Sequence, residues 1–282
     1  MNFRIKAFLY SSLVVIAVTA LVFAGTQSVV KSQFLRLEEE EIRQDAARVQ
    51  EIIGQKLSTL AEITEKWAVH PDVYNFIVDE GHKTPGQSVT AMDFETLDLE
   101  VVLLFNNRQE YIYGRSVNPF NHRQQSVAAD LRALPQNYDL FPPTGQIPDA
   151  KNGIVNTSRG ILLLSSRAVK PTRPGGAPVG FLVFGRYLDP TFQEELGQLT
   201  GLSIEAWSID DPELPADYQR AASTLQQSSD PLTLTLPGLL ETGENSGEMA
   251  YAYLALDDLN GNRQFILRLE DDLQYYQVGM KA

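Results

Sequence analysis

The chain has 282 residues and a net charge of −13, with 43% of its residues apolar. That is enough apolar material for a packed core, and the excess of 36 carboxylates over 23 cations repels phosphate backbones, so general disorder and nucleic-acid binding without a local basic patch are both excluded. With no cysteine there are no disulfides, thiolate metal sites, cysteine nucleophiles or cysteine-linked lipids, and three histidines (His70, His82 and His122) are too few for a histidine-rich metal centre.

Residues 7–30 carry no charged side chain. As a helix they measure about 36 Å, enough for a hydrocarbon core of about 30 Å. Arg4 and Lys6 precede them, so the positive-inside rule keeps the N-terminus cytoplasmic and places everything after Lys31 outside. The alternative is a cleaved signal peptide, whose apolar core runs to roughly 7–15 residues before a small-x-small site. Here the run is longer and the one weak site, Val22-Phe23-Ala24, has a Phe at its centre. A single-pass signal anchor in the cell membrane is therefore expected.

From Ser32 to Ala68 there is no proline, and Gly54 is the only glycine. Ile42, Ala46, Val49, Ile53, Leu57, Leu60 and Trp67 recur mostly at steps of three and four, one apolar face of a long helix. That face either packs on its own domain or pairs two chains as a homodimer. His70-Pro71 ends the helix, with His70 expected to pack or cap there.

Strands are expected over 99–105, 110–117, 160–169 and 177–188, where β-branched and apolar residues are dense. Asn106-Asn107 supplies the first turn. Helical spacing runs from Val127 to Leu134, and Pro135 to Asn156 reads as a loop or lid. Pro190 opens a short helix that Gly201 stops. Further strands are expected at 202–209, 232–236, 248–256 and 264–270, with a polar linker after the first and Asn260-Gly261 as a hairpin turn. The order predicts an α+β fold: a transmembrane helix continuing into a long helix, then an antiparallel sheet with flanking helices. The later strands either complete this sheet or form a smaller membrane-proximal β lobe.

Trp67, Asp72, Tyr74, Phe76, Asp93, the run Leu97 to Val102, and Tyr113-Gly114-Arg115 form an ordered series. Gly160 to Leu164, Ser166-Arg167, Gly180 to Leu188 and Phe192 to Leu202 continue it, and Tyr253-Leu254, Asp258, Gly261 and Leu267-Arg268 close it. In order and spacing this series resembles the fourth subtype of the CHASE sensory domains. The resemblance implies a PAS/Cache-like fold and an extracytoplasmic input module of a signal-transduction receptor. It also implies a second membrane span and a cytoplasmic output domain beyond Ala282, so the chain is expected to be a fragment or a sensor without output. The expected division is a cytoplasmic tail (1–6), anchor (7–30), signalling helix (31–70), main sensor domain (71–200), C-terminal strands (201–275) and the approach to a second span (276–282).

Serine-hydrolase, zinc-protease and nucleotide-loop motifs are absent from the sequence, so no catalytic residue, metal or cofactor is expected. Residues 257–262 imitate the start of a calcium loop but lack its glycine and closing glutamate, and read as a hairpin turn. Arg173 to Gly176 is likewise a turn. A small-molecule signal is the expected partner. Its candidate contacts are Tyr113, Arg115, Arg167, Arg186 and Tyr187, at strand ends, where guanidinium groups can hold a carboxylate or phosphate. The bland reading pairs these arginines with Asp98 or Asp189. Rival functions are a membrane-anchored periplasmic hydrolase and an envelope assembly factor.

Overall fold

The computed structural model describes residues 36–37, 39–79, 94, 96–121, 123–138, 140, 150–171, 176–235 and 249–272. The expected membrane span at 7–30, the tail before it, the turn at 173–175 and the segment at 276–282 lie outside them. Among the described residues no helix is long and apolar enough to cross a membrane.

The chain divides into two compact units, one of Met1–Asp45, Leu234–Tyr251 and Glu270–Ala282, the other of Ala46–Thr233 and Ala252–Leu269. The first contributes the start of helix α1, a helix over residues 39–68. There Arg43 and Glu39, one turn apart, form an exposed ion pair at 3.2 Å. The six-stranded sheet lies wholly in the second unit.

Along α1, Ala46, Val49, Ile53, Leu60, Ala61 and Ala68 are buried within the single chain. The apolar face thus packs on its own domain. A second helix, α2 (Pro71–Val78), begins one residue after His70. The His70 Nδ1 accepts from the Asp72 N–H at 3.2 Å, the capping role expected of it, and Pro71 occupies the first turn, where no N–H is needed.

Six antiparallel strands follow: β1 (Val101–Asn106), β2 (Tyr111–Val117), β3 (Gln124–Gln125), β4 (Ala150–Thr157), β5 (Gly160–Val169) and β6 (Gly180–Tyr187). Their spatial order is β3-β2-β1-β6-β5-β4. The β1–β2 turn is built by Asn106, whose Oδ1 accepts from the Arg108 and Glu110 N–H groups, with Gln109 in the left-handed region. Every residue of β1 from Val101 to Phe105 is buried, because both faces of the sheet are covered. One face carries Val101, Leu103, Phe105, Leu162, Leu164, Val183 and Tyr187 against Leu131 and Leu134 of the short helices α3 (Ala129–Arg132) and α4 (Leu134–Asn137). Residues of opposite parity face α2, where Phe76 meets Tyr113 edge-on at 5.6 Å.

The later strands do not extend this sheet. After α5 (Pro190–Thr200), strands β7 (Ser203–Ser208), β8 (Leu232–Thr235), β9 (Met249–Asp257) and β10 (Arg263–Asp272) form their own four-stranded sheet, ordered β7-β10-β9-β8. Two sequence expectations need correction. The polar linker after β7 contains helix α6 (Ala216–Gln227), which buries Tyr218, Ala221, Ala222 and Leu225 at helical spacing. The loop read from Pro135 to Asn156 begins within α4 and ends in β4, an edge strand paired along its length with buried β5. Pairing to an apolar neighbour outweighs the local Asn and Gly content.

The β9–β10 turn touches the six-stranded sheet. Leu259 N–H donates to the Ile154 carbonyl at 2.9 Å, and its side chain packs against the core. The approach favours a glycine at 153: an added Cβ would lie 2.5 Å from Leu259 Cδ1, which would have to turn aside, and 3.2 Å from its Cα, which would have to give by a few tenths of an ångström. Gly153→Ala is expected to destabilise by about 1–2 kcal/mol. Leu259→Ala in the same chain should recover some of that loss, which a double-mutant cycle of urea midpoints measures.

Candidate functional site

Strand parity separates the five candidate residues. Tyr113 and Arg115 of β2, Arg167 of β5 and Arg186 of β6 share the α2 face, whereas Tyr187 points into the opposite core. The first four do not converge. Tyr113 pairs with Leu104, Leu104 with Leu182, and Leu182 with Arg167, which puts Tyr113 and Arg167 three strands, or about 14 Å, apart.

Most of the five have structural surroundings of their own. The Arg115 guanidinium lies over the Phe94 ring, 4.3 Å from its centroid. Arg167 is 8% exposed. Its Nη1 donates to Asn152 Oδ1 at 2.7 Å, the Ser166 carbonyl at 2.8 Å and Ser165 Oγ at 3.1 Å. Burial lowers its pKa, partly offset by the Glu65 charge. Burial pushes the Tyr113 and Tyr187 hydroxyls up.

Arg186 differs because it borders a cavity. About 510 Å³ of space is lined by α1 residues including Arg48, Glu51 and Lys56, by Leu97 and Asp98 ahead of β1, by Leu163 and Arg186 of the sheet, and by Phe192 and Leu199 of α5. The volume falls in the range of small-molecule sites. Arg186 Nη1 ion-pairs with Asp98 Oδ2, and its Nη2 lies 3.8 Å from Glu195 Oε2. Lys56 Nζ meets the other Glu195 oxygen at 2.6 Å. Both cations lie over the Phe192 ring, at 5.6 Å for Lys56 and 5.1 Å for Arg186. Burial lowers the Arg186 pKa, while Glu195 and Asp189 oppose that shift. Asp98, one of the two carboxylates expected to pair with the arginines, does so; Asp189 instead caps α5, accepting from the Phe192 N–H at 2.8 Å.

The elements place these groups for local reasons. Asp189, Pro190 and Gly201 (φ +79°) fix the ends of α5, and so aim Phe192 and Glu195. Alternation along β6 aims Arg186. Lys56 had no signal in the sequence, being one cation on a helix surface; Phe192 and Glu195 fall in the stretch that carries the family resemblance, but nothing there marked them as lining a site. Glu100 was also missed, although an acid heading the apolar run of β1 is itself a signal. It is 6% exposed, and its Oε2 accepts from the Tyr187 N–H at 2.6 Å.

The CHASE4 domain family matches residues 52–207, more than half of the chain. Among solved structures, the periplasmic domain of Vibrio cholerae LuxQ aligns at 10% identity over 81% of this chain and 98% of that one, with a TM-score of 0.52. The extracellular domain vpHK1S-Z8 of a proposed histidine kinase aligns at 11% identity over 88% and 99%, with a TM-score of 0.51. The ligand-binding domain of the Campylobacter jejuni chemoreceptor Tlp3, in complex with L-valine, aligns at 10% identity over 89% and 97%, with a TM-score of 0.47. No curated protein matches the chain. At such identities the LuxQ and vpHK1S-Z8 domains establish likeness of fold.

Proposed function

The chain belongs to the CHASE4 domain family, and from that premise we propose that it is the extracytoplasmic, ligand-sensing input module of a membrane-bound signal-transduction receptor. The family match carries the reading, and it spans the second half of α1 as well as the six-stranded sheet. A helix that leads from the anchor into the sensor is the element a signal must move. Lys56 ties α1 to α5 through Glu195, next to the cavity. A ligand that binds one arrangement of these elements better shifts the population toward it and so repositions the helix.

Residues 7–30 anchor the module, with the N-terminus cytoplasmic. Residues 71–200 form the sensor proper, and 201–275 form a second lobe nearer the membrane. Two chains associate in the receptor through surfaces other than the buried seam of α1. The module binds without turnover. Of the five candidate residues, Arg186 is the one assigned to ligand contact, and the surroundings of Tyr113, Arg115, Arg167 and Tyr187 favour structural roles.

The test is thermal unfolding of the full chain, followed by the fluorescence of Trp67 and Trp207, against amino acids, carboxylates, nucleotides and polyamines. A true ligand at a hundred times its dissociation constant stabilises by about 2.7 kcal/mol. The expected result is at least one compound that raises the midpoint and is recovered unchanged. A panel with no shift, or chemical conversion of a compound that binds, overturns the reading.

A further inference from the structure

The cavity beside Arg186 already holds a carboxylate, that of Asp98. Asp98 is one of two non-glycine residues among those described with positive φ, at +55°. The left-handed region disfavours most side chains, although Asp tolerates it better than most. Its side chain is 56% exposed, whereas that of Arg186 is 15% exposed. The acid therefore returns to water at little cost, and the guanidinium stays where it is. Beside them the lining is apolar: Ile52, Leu60, Ile63, Leu97 and Leu163. Three cations, Arg48, Lys56 and Arg186, line the space with Glu51 and Asp98, and Glu195 pairs with two of them from α5, so the site is locally balanced in a chain of net charge −13.

We propose that this cavity between α1, α5 and the sheet binds a small amphipathic monocarboxylate, whose carboxylate displaces Asp98 from Arg186 while its hydrocarbon body covers Ile63 and Leu163. The inference rests on the sensor reading and names the ligand class for it. Arg186 supplies two parallel N–H donors for a carboxylate, and the Phe192 ring under the guanidinium holds its plane. Asp98 acts as an internal competitor: it keeps the guanidinium paired when the cavity is empty and sets a threshold concentration for the ligand. Release of Asp98 frees the segment just ahead of β1 from its ion pair, beside the α1 residues that line the same space.

The test uses hexanoate and its uncharged counterpart hexanamide, titrated calorimetrically into the full chain and into Asp98→Asn and Arg186→Gln variants. Hexanoate is expected to bind the wild type, to bind Asp98→Asn several-fold more tightly because the competitor is gone, and to bind Arg186→Gln at least tenfold more weakly. Hexanamide is expected to bind none of them. Asp98→Asn alters an exposed side chain and leaves the fold intact, so the test stands even if Arg186→Gln fails to fold. The proposal is overturned if hexanoate fails to bind both wild type and Asp98→Asn, if hexanamide binds equally well, or if folded Arg186→Gln retains full affinity. Those outcomes leave the sensor reading standing wherever another compound of the thermal panel still shifts the midpoint.

Discussion

Ile53→Asp is expected to unfold the protein rather than only to separate one chain from another. Ile53 is 3% exposed within a single chain, with Val49 one turn before it at 0%. A carboxylate there loses its water and gains no partner of opposite charge on an apolar face, so the substitution should cost roughly 4 kcal/mol. In urea the midpoint should fall sharply, at every protein concentration alike. Gln55→Glu on the exposed side of the same helix should stay within about 0.5 kcal/mol of the parent. An Ile53→Asp chain with the parent's midpoint would show that this face is not packed. One with a midpoint that rises steeply with protein concentration would assign it to an interface.

The periodicity of α1 was legible in the sequence, and its partner was not. A stripe at Ala46, Val49, Ile53 and Leu60 states that one face is buried, but the spacing is the same whether the cover is a sheet or another chain. Other elements were legible to within a few residues because their ends are chemically marked. Asp189, Pro190 and Gly201 bound α5, and Asn260-Gly261 turns the last hairpin with Gly261 at φ +84°. Helix α6 was lost because two of its four buried positions are alanines, which leave the stripe faint beside its polar residues. Of the cavity, only Arg186 and its pairing with Asp98 were legible. Lys56, Asp98, Arg186 and Phe192 come from four separate segments, and only the three-dimensional fold brings them together. Of the five candidate residues, four do share one face of the sheet, as alternation allows, but they are spread across strands too far apart to make one site.

Glu100→Gln is expected to change how stability depends on pH. Burial pushes the Glu100 carboxyl up from an ordinary 4.5 to about 7; the Tyr187 N–H opposes the rise and the Asp189 charge adds to it. Below about pH 4.5 the group is protonated in both states, and its contribution to stability is fully present. Between that pH and about 7 the folded chain holds a proton that the unfolded chain has released, so stability falls as pH rises. Above about 7 the buried carboxylate is charged in both states, and the whole contribution, about 3 kcal/mol, is gone. Glutamine keeps an oxygen to accept from the Tyr187 N–H and never ionises. The variant should therefore match the wild type near pH 4.5 and exceed it by about 3 kcal/mol near pH 8, as read from urea midpoints across that range. Parallel curves for the two proteins would mean that Glu100 is not the group titrating. The position gives the result a bearing on function, because Glu100 joins the start of β1 to the end of β6. Asp98 lies two residues before it and Arg186 one residue before its hydrogen-bond partner. Deprotonation above about 7 therefore lowers the stability of the fold beside the segments that carry Arg186 and Asp98, although the charged carboxylate itself holds the Tyr187 N–H more strongly.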